Sequence, residues 1–542
     1  MISESLRQDA EQWLAIDPDP ATRAELTALL ELEDAARLSD CFAGRLTFGT
    51  AGLRAEMGPG PNRMNRVVVS QAAAGLGRWL NSNGYGGGKI LIGYDARHNS
   101  DVFAEDSAAI LAGLGFDAVL TDTYVPTPVV AFGIRHLGCV AAIVVTASHN
   151  PPADNGYKVY LGDGSQIIPP VDSEIATRIN EAADGPFDFA RGEYSTIGAE
   201  LREAYVSRAR SFFGERDPRT VSWVYTPMHG VGGDWILELA NAIGLPEPRI
   251  VSQQFQPDPD FPTVSFPNPE EPGALDLALS MADDGTDVII ANDPDADRCA
   301  IAAKTGGGWR RLSGDELGWL LADDTVRRGR PGTLACSFVS STLLEVLAQA
   351  NDYEFVRTLT GFKWIGRVPD LAFGYEEAIG YCCDSAYVSD KDGLTAALVV
   401  LRLVAELNAQ GSTLSQRLDE IALEYGACIT SQISLRVTDL AEIAQLMAKL
   451  RLAAPQELAG RPVKVTDRLT SDVLHSDTFE LRGDGFQVVI RPSGTEPKLK
   501  CYLEVKLPPE TTEALGLDDS RQRLRVLLDD LEMAVQQLLS GD

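Results

Sequence analysis

The stretch that decides the fold is Val140-Ala141-Ala142-Ile143-Val144-Val145-Thr146-Ala147-Ser148-His149-Asn150-Pro151. Its first six residues are apolar and rich in β-branched side chains, and such a run is too short for a helix of a globular protein. It predicts a buried parallel strand, with Ser148 just past the strand end in a loop stiffened by an Asn-Pro-Pro turn. Ligands of open α/β sheets bind at this edge. An isolated Ser-His pair, however, is more often an ordinary polar turn.

A second apolar strand, residues 288–291, leads into Asn292-Asp293-Pro294-Asp295-Ala296-Asp297-Arg298. Alternate side chains of an extended chain share a face, so the three aspartates can converge on one hard cation. A calcium loop does not fit, because Arg298 stands where that loop needs glycine and Lys304 where it needs glutamate. Three carboxylates at one strand end repel one another unless a cation offsets them. Magnesium is therefore the expected ion.

A third polar loop lies near the C-terminus and reads Arg491-Pro492-Ser493-Gly494-Thr495-Glu496-Pro497-Lys498. It places a guanidinium, two hydroxyls, a glycine and a lysine in one turn, which predicts a cradle for an anion such as phosphate. The alternative is an ordinary hairpin turn, although turns seldom combine these groups.

Composition excludes several classes of protein. A chain of 542 residues is too long for one core and suggests about four domains, at roughly 150 residues each. The formal net charge of −31 argues against binding to nucleic acid or an anionic membrane, so any small anionic ligand must meet local positive charge. The eight cysteines lack C-x-x-C spacing and predict reduced thiols of a cytoplasmic protein. We expect neither an export signal nor a membrane span.

Helical periodicity and turn signals outline the rest of the chain. The first 40 residues are charged and carry an apolar stripe, which predicts a helical arm packed on the first domain. The stripe comprises Leu6, Trp13, Leu14, Leu26, Leu29 and Leu30. Three glycines at 306–308 predict a hairpin turn, and Ser313 predicts a helix cap. Further helices are expected at 102–115, 200–213, 394–407, 441–452 and 518–539.

Taken together, these loops resemble those of the α-D-phosphohexomutase superfamily, the phosphoglucomutases and phosphomannomutases. Five motifs occur in the family's order: FGTAGLR at 48–54, TASHNP at 146–151, DPDADR at 293–298, GYEEAIG at 374–380 and RPSGTEPK at 491–498. The first and fourth motifs, with Thr360-Gly361-Phe362-Lys363-Trp364-Ile365, are most similar to the branch that includes phosphopentomutases and glucose-1,6-bisphosphate synthases.

The resemblance implies three similar mixed-sheet α/β domains and a smaller C-terminal α+β domain around a central cleft. Each domain would contribute one loop. Residues 1–215 would hold the helical arm and domain I with the serine loop, and 216–310 domain II with the metal loop. Residues 311–430 would form domain III with a sugar-binding loop, and 431–542 domain IV with the phosphate-binding loop.

The resemblance also implies a reaction, the interconversion of a sugar 1-phosphate and 6-phosphate through a sugar bisphosphate, which also serves as activator. Ser148 would carry the phosphate in the active form, and an oxygen of that phosphoserine would bind Mg²⁺ together with Asp293, Asp295 and Asp297. The catalytic group would be Ser148, His149, Lys158 and Lys391. Lys158, with Lys391 as second candidate, would exchange the hydroxyl proton as a neutral amine, which desolvation and the nearby cation would favour. The alternative for Lys158 is a solvated turn lysine.

The expected substrate contacts are Arg54, Arg298, Gly361, Lys363, Glu376, Glu377, Arg491, Ser493, Gly494, Thr495 and Lys498. Ala378 stands where many phosphoglucomutases have serine, so one contact with the sugar is missing. Glucose phosphates are the first choice, followed by mannose or pentose phosphates, and a phosphopentomutase or a glucose-1,6-bisphosphate synthase is the alternative. A phosphosugar-binding regulator is disfavoured because the nucleophile and the metal triad are both intact. The enzyme is expected to be a monomer or homodimer.

Overall fold

A computed structural model describes residues 2–49, 51–213, 220–437, 440–471, 473–493 and 498–540. The chain divides into two compact units. The first comprises residues 1–311 and 380–408, and the second comprises residues 312–379 and 409–542. The chain therefore leaves the first unit, returns to it for about 30 residues and leaves it again. The expected domain boundary near 215 falls at positions 214–219, outside the described residues.

Three short helices form the N-terminal arm: α1 (Glu4–Ile16), α2 (Pro20–Glu31) and α3 (Ala35–Cys41). Each begins at a serine or aspartate whose side chain accepts a backbone N–H of the first turn, an arrangement that stabilises a helix start. Trp13, Leu26 and Leu29 are buried in the core of the first sheet, and the other three stripe residues pack against it. The predicted packing arm is confirmed.

The first α/β layer follows the arm. Its strands are β1 (Leu53–Glu56), β2 (Lys89–Tyr94), β3 (Asp117–Thr121), β4 (Ala141–Val145), β5 (Asp154–Leu161) and β6 (Ser195–Ile197). Its helices are α4 (Arg66–Ser82), α5 (Ser100–Gly113), α6 (Thr127–Leu137), α7 (Val171–Asp184) and α8 (Ala199–Phe213). The sheet order is β1-β5-β4-β2-β3-β6. β2 pairs in parallel with β3 and β4, whereas β5 runs antiparallel to β4 and β1, so the sheet is mixed.

The predicted strand at the serine loop is β4, and all five of its residues are buried. Burial on both faces explains why the strand shows no polar alternation.

The second layer contains the metal loop. It consists of β7 (Trp223–Thr226), α9 (Gly233–Ala242), β8 (Arg249–Ile250), α10 (Ser252–Phe255), α11 (Asp276–Ser280), β9 (Val288–Asn292), β10 (Cys299–Thr305) and β11 (Gly308–Arg311). The sheet order is β11-β10-β9-β7-β8, and the predicted hairpin turn joins β10 to β11.

The second unit begins with α12 (Gly314–Arg327), β12 (Thr333–Ser337), α13 (Leu343–Ala350), β13 (Glu354–Thr358), α14 (Phe362–Ile365) and β14 (Leu371–Glu376). β12 pairs in parallel with β13 and β14. The predicted cap at Ser313 is a capping box, in which Ser313 and Glu316 each accept the other's backbone N–H. The chain then returns to the first unit with β15 (Gly380–Cys382) and α15 (Gly393–Ala409).

The C-terminal part of the second unit is antiparallel. It comprises α16 (Leu414–Tyr425), β16 (Cys428–Arg436), α17 (Leu440–Leu452), β17 (Glu457–Leu458), β18 (Arg461–Pro462), β19 (Lys464–Asp467), β20 (Phe479–Gly483), β21 (Phe486–Pro492), β22 (Lys498–Lys506), α18 (Pro509–Leu515) and α19 (Leu517–Ser540). The main sheet has the order β16-β22-β21-β20-β19. The apolar face of α19 covers this sheet, with buried residues at helical spacing from Leu524 to Leu539.

Three alternating α/β layers and an antiparallel C-terminal domain confirm the predicted fold class. The eight cysteines all lie among the described residues, and none of them forms a disulfide bond. Among the described residues, no single helix is both long and apolar enough to cross a membrane, and one bent pair, α15 with α16, passes that test only by combined length and composition.

Candidate active site

The serine loop begins where β4 ends. Ser148 is buried and has a left-handed backbone conformation, with φ of 51°. Non-glycine residues rarely adopt this conformation, and it persists only where surrounding contacts hold it. The Ser148 backbone N–H donates to the Thr146 hydroxyl at 2.8 Å. Its own hydroxyl lies 2.8 Å from Asp293 Oδ2 and 3.1 Å from His149 Nδ1. The strained turn thus aims the Ser148 hydroxyl at the metal loop.

The aspartate triad lies at the end of β9, and its three carboxylates converge. Asp293, Asp295 and Asp297 are buried, and each offers an oxygen within 4.8 Å of the others. Asp295 Oδ1 and Asp297 Oδ1 accept no hydrogen bond within the described part of the chain. Buried carboxylate oxygens without partners are unfavourable, and oxygen is the ligand that Mg²⁺ prefers. The residues present therefore fit a magnesium ion.

The three carboxylates differ electrostatically. Burial raises the pKa of Asp293 well above its usual value, and the neighbouring Asp295 and Asp297 act in the same direction. For Asp295 and Asp297 burial also favours the neutral acid, but nearby lysine ammonium groups outweigh it and hold both pKa values below the usual range. Asp293, which accepts the Ser148 hydroxyl, is thus the carboxyl most easily protonated.

Two lysines converge on the same carboxylates. Lys158, in β5, has its Nζ 2.7 Å from Asp295 Oδ2 and 2.9 Å from Asp297 Oδ2. Lys391 Nζ lies 2.9 Å from that same oxygen of Asp297. Lys158 is buried within a strand, so the alternative of a solvated turn lysine is wrong.

The expectation of a neutral amine assumes a bound cation, and the carboxylates by themselves act in the opposite direction. Burial alone would lower the pKa of Lys158, but Asp295 and Asp297 outweigh it and the pKa is raised. The pKa of Lys391 is raised as well, because Asp297 and Asp390 outweigh its burial. Both lysines are therefore ammonium groups here, suited to donating a proton or pairing with phosphate oxygens.

The two residues that flank Lys391 are anchored separately. Asp390 Oδ2 accepts hydrogen bonds from the Tyr160 hydroxyl at 2.7 Å and from Gln166 Nε2 at 2.9 Å. Asp392 accepts from Tyr205 at 2.9 Å. The Lys391 stem packs on Gly380, where an added Cβ would lie 2.3 Å from Lys391 Cδ. These contacts fix Lys391 within the first unit.

Cationic and neutral nitrogen groups complete the site around Ser148. Arg54 Nη1 donates to the Asn150 side chain at 3.1 Å. The Arg298 backbone N–H donates to Asp293 Oδ1 at 3.0 Å, and its Nε lies 3.8 Å from Asp297 Oδ1. Burial lowers the pKa of His149 well below its usual value, and the two arginines act in the same direction. His149 is therefore a neutral imidazole beside Ser148.

Sequence reasoning missed three polar residues of this site. Thr127, the first residue of α6, donates its hydroxyl to Asp295 Oδ2 at 2.5 Å and its backbone N–H to the Asp295 carbonyl at 2.9 Å. Asp95 and Arg97 follow β2 and lie next to residues of the serine loop. The only signal in the sequence was that β2, like β4 and β9, ends in polar residues.

The expected sugar-binding residues lie in the second unit. Glu376 Oε1 accepts the Gly361 backbone N–H at 2.7 Å, and Gly361 has a φ of 107° that favours glycine. Glu377 Oε2 accepts the hydroxyls of Ser337 and Ser340 at 3.2 and 3.1 Å. Each carboxylate is thus oriented by the ends of neighbouring elements. Lys363 follows in α14, next to Gly361.

The phosphate-cradle residues are also in this unit. Arg491 is the penultimate residue of β21, opposite Lys500, and the Ser493 N–H donates to the Lys498 carbonyl at 2.8 Å. Burial raises the pKa of Tyr502, to which Glu377 contributes and which Arg491 opposes, so these groups are electrostatic neighbours. Gly494 and Thr495 lie outside the described residues.

Comparison with known proteins identifies the family. Family models for domains I, II and III of phosphoglucomutase/phosphomannomutase match residues 45–185, 203–307 and 313–425, and the model for the C-terminal domain matches 433–516. A probable phosphomannomutase of Haemophilus influenzae is 48% identical over 82% of this chain and 93% of its own length. A phosphopentomutase of Mus musculus is 35% identical over 98% and 94%.

Two further relatives extend the range. A phosphoglucomutase of Staphylococcus aureus is 32% identical over 90% of this chain and 93% of its own. The crystal structure of a putative phosphomannomutase from Thermus thermophilus has a TM-score of 0.69 and 26% identity, covering 89% of this chain and 99% of that one. The chain belongs to the phosphoglucomutase/phosphomannomutase family of the α-D-phosphohexomutase superfamily, and it is a phosphosugar mutase. As an enzyme it is an isomerase that transfers a phosphoryl group.

Proposed function

We propose that this enzyme moves a phosphoryl group between the anomeric and terminal hydroxyls of an aldose by way of Ser148. In its active form Ser148 carries the phosphate. The free hydroxyl of the sugar 1-phosphate attacks that phosphorus, the bond to Ser148 Oγ breaks, and a sugar bisphosphate forms. The bisphosphate then turns over, and its anomeric phosphate returns to Ser148, which leaves the sugar 6-phosphate.

The observation that carries the proposal is the placement of the Ser148 hydroxyl 2.8 Å from Asp293 within a buried triad faced by two ammonium groups. Phosphoryl transfer depends mainly on positioning and on offsetting negative charge. A magnesium ion held by Asp293, Asp295, Asp297 and a phosphoserine oxygen would neutralise charge on the transferring group.

The chain's own groups move the proton. In the reaction the incoming hydroxyl loses a proton and the departing oxygen gains one. Lys158 lies closest to the triad, and Lys391 reaches the same carboxylate oxygen from the other side. Once phosphate occupies the site, either ammonium group can give a proton to the departing oxygen and, as the amine that remains, take up the proton that the incoming hydroxyl loses. His149, neutral and 3.1 Å from Ser148 Oγ, is positioned to assist.

Four loops would share the work, one from each of the segments 1–215, 216–310, 311–430 and 431–542. Glu376 and Glu377 would accept sugar hydroxyls beside Gly361 and Lys363. Arg54 and Arg298 would contact the transferring phosphate. The non-reacting phosphate would lie on the 491–498 loop, with Arg491, Ser493, Gly494, Thr495 and Lys498 as ligands. Since the sugar must present either end, this loop must accept both of its phosphates.

Ser148→Ala tests the proposal. Intact-protein mass after incubation with glucose 1,6-bisphosphate should show one added phosphate in wild type and none in the variant, and mutase turnover should be lost. Ser107→Ala is the control for folding. It removes a buried hydroxyl that donates to the Phe103 carbonyl of its own helix and accepts a hydrogen bond from the Tyr157 hydroxyl. Phosphate that persists in Ser148→Ala would place the acceptor elsewhere.

Hexose phosphates, glucose first and mannose next, are the proposed substrates. The family description and the phosphomannomutase and phosphoglucomutase relatives support hexoses. A pentose phosphate is the second candidate, because Ala378 removes a hydroxyl from the sugar loop and phosphopentomutase relatives match 98% of the chain. Values of kcat/KM for glucose, mannose, ribose and deoxyribose 1-phosphates decide between them. Ribose turning over faster than glucose would overturn the first choice.

The same assays separate a mutase from a bisphosphate synthase. A mutase needs only catalytic amounts of sugar bisphosphate, whereas a synthase accumulates it from a second phosphorylated metabolite. Net accumulation of glucose 1,6-bisphosphate with such a donor would favour the synthase.

A further inference from the structure

Arg97 is a buried arginine whose two terminal nitrogens donate to the serine loop and to the start of β5. Its side chain is 1% exposed. Nη2 donates to the carbonyls of Ser148 and Asn150, both at 2.6 Å. Nη1 donates to the carbonyls of Pro151 and Asp154 at 2.8 and 3.1 Å. One guanidinium therefore binds four backbone oxygens within seven residues.

Asp95 anchors the segment that carries Arg97, and the backbone N–H of Ser148 is fixed as well. Asp95 Oδ1 accepts the Arg97 backbone N–H at 3.0 Å and the Ser100 hydroxyl at 2.7 Å. The Thr146 hydroxyl accepts the Ser148 N–H at 2.8 Å. The Ser148 carbonyl is thus fixed by the segment that follows β2, and the Ser148 N–H by Thr146 of its own loop.

We propose that Arg97, supported by Asp95, is a positioning residue that holds Ser148 in its left-handed conformation for phosphoryl transfer. The inference rests on the proposed role of Ser148. A left-handed non-glycine residue persists only if its surroundings enforce it, and Arg97 supplies four such contacts. Relaxation of φ would swing the hydroxyl away from Asp293 and out of line with an incoming sugar.

Arg97 acts through the backbone and not on the phosphate. Both of its Nη atoms are bonded to carbonyl oxygens, and its guanidinium stacks on the Phe261 ring at 4.9 Å. Four converging carbonyls require the planar fork of arginine, since a lysine ammonium is a compact group with three donors on one nitrogen. Loss of Arg97 should therefore lower the rate of transfer and leave sugar-phosphate binding unchanged.

The experiment compares Arg97→Met and Arg97→Lys with Arg66→Met. Arg66 is a matched control, because its guanidinium binds Asp106 through two hydrogen bonds in the same layer and makes none to the serine loop. Displacing a reacting group by about 1 Å can cost roughly 100-fold in rate. We expect Arg97→Met to lose about 100-fold in kcat and in the rate of Ser148 phosphorylation by glucose 1,6-bisphosphate. Arg97→Lys should be intermediate, and KM should stay within about twofold.

A normal kcat in Arg97→Met, or a raised KM with unchanged kcat, would overturn the proposal. If Arg97→Met does not fold, Arg97→Lys decides, and wild-type kcat in that variant would also overturn it. Hydrogen exchange of peptides covering residues 146–156 should be faster in both variants and unchanged in Arg66→Met. This readout reports the loop whether or not Ser148 accepts phosphate. Unphosphorylated Ser148 in wild type would refute the proposed function, whereas unchanged exchange in the variants would refute the role of Arg97.

Discussion

Replacing Lys158 by methionine should destabilise the protein in a manner that magnesium reverses. Methionine keeps much of the apolar stem but removes an ammonium group that lies 2.7 Å from Asp295 and 2.9 Å from Asp297. The three side chains are 6%, 0% and 1% exposed, so solvent cannot replace the lost charge. The variant therefore leaves negative charge buried without its counter-ion.

The magnitude follows from this burial. Removing one partner of a buried ion pair costs about 3 to 5 kcal/mol. Asp297 keeps Lys391 at 2.9 Å and Asp295 keeps the Thr127 hydroxyl, so we expect the lower end, about 3 kcal/mol. A bound cation supplies the missing charge. In saturating magnesium the difference between variant and wild type should fall below about 1 kcal/mol, which is typical of screened pairs.

Urea unfolding followed in chelator and in excess magnesium measures both differences. Lys89→Met is the control, because Lys89 pairs with Asp117 at 3.6 Å on the surface, with side chains 35% and 54% exposed. Its cost should be below about 1 kcal/mol in either buffer. A Lys158→Met variant that is no less stable than this control would refute the buried-charge argument. A loss of stability that magnesium does not reduce would show that the triad is not the metal site.

Three further predictions concern other residues. Thr127→Val should raise the magnesium concentration for half-maximal activity about 10-fold, because Asp295 loses its hydroxyl partner, and KM for the sugar phosphate should not change. Burial raises the pKa of Asp315 to about 7, so folding favours the protonated acid. Its stabilising contribution is complete below pH 4 and is lost as the pH rises to 7, and the free energy of unfolding of wild type relative to Asp315→Asn should fall by up to about 4 kcal/mol over that range. If the difference in the free energy of unfolding between wild type and Asp315→Asn does not change with pH, the raised pKa of Asp315 is refuted. Arg491→Ala should weaken binding of sugar phosphate and sugar bisphosphate alike by about 1.5 to 3 kcal/mol, measured by calorimetry. An unchanged affinity for the bisphosphate would remove Arg491 from the phosphate cradle.

Short-range patterns predicted the parts of the site that a single loop supplies. The strands that end at Ser148 and at Asp293 are apolar runs followed by polar turns, and their side-chain alternation is a local property of extended backbone. Burial and convergence of the three aspartates follow from that alternation. These features needed no knowledge of distant residues.

The parts of the site that depend on contacts between distant residues could not be predicted from the sequence. Arg97 lies 51 residues from Ser148 and binds backbone carbonyls, which leave no mark on side-chain identity. Thr127 reaches Asp295 across 168 residues. The pairing of Lys158 with two carboxylates within 2.9 Å is also a product of the fold, because neither carboxylate is its neighbour in the chain.

The return of residues 380–408 to the first unit has a consequence for synthesis on the ribosome. Residues 1–311 of the first unit leave the ribosomal exit tunnel first. Lys391, which belongs to the same unit, leaves the tunnel about 80 residues after Arg311. At roughly 5 to 20 residues per second, Asp297 waits several seconds or more for its second lysine, with Tyr160 and Tyr205 still lacking their aspartate acceptors. The nascent first unit is therefore an incomplete fold with an exposed acceptor site, and a protein shortened at residue 311 would keep that defect permanently.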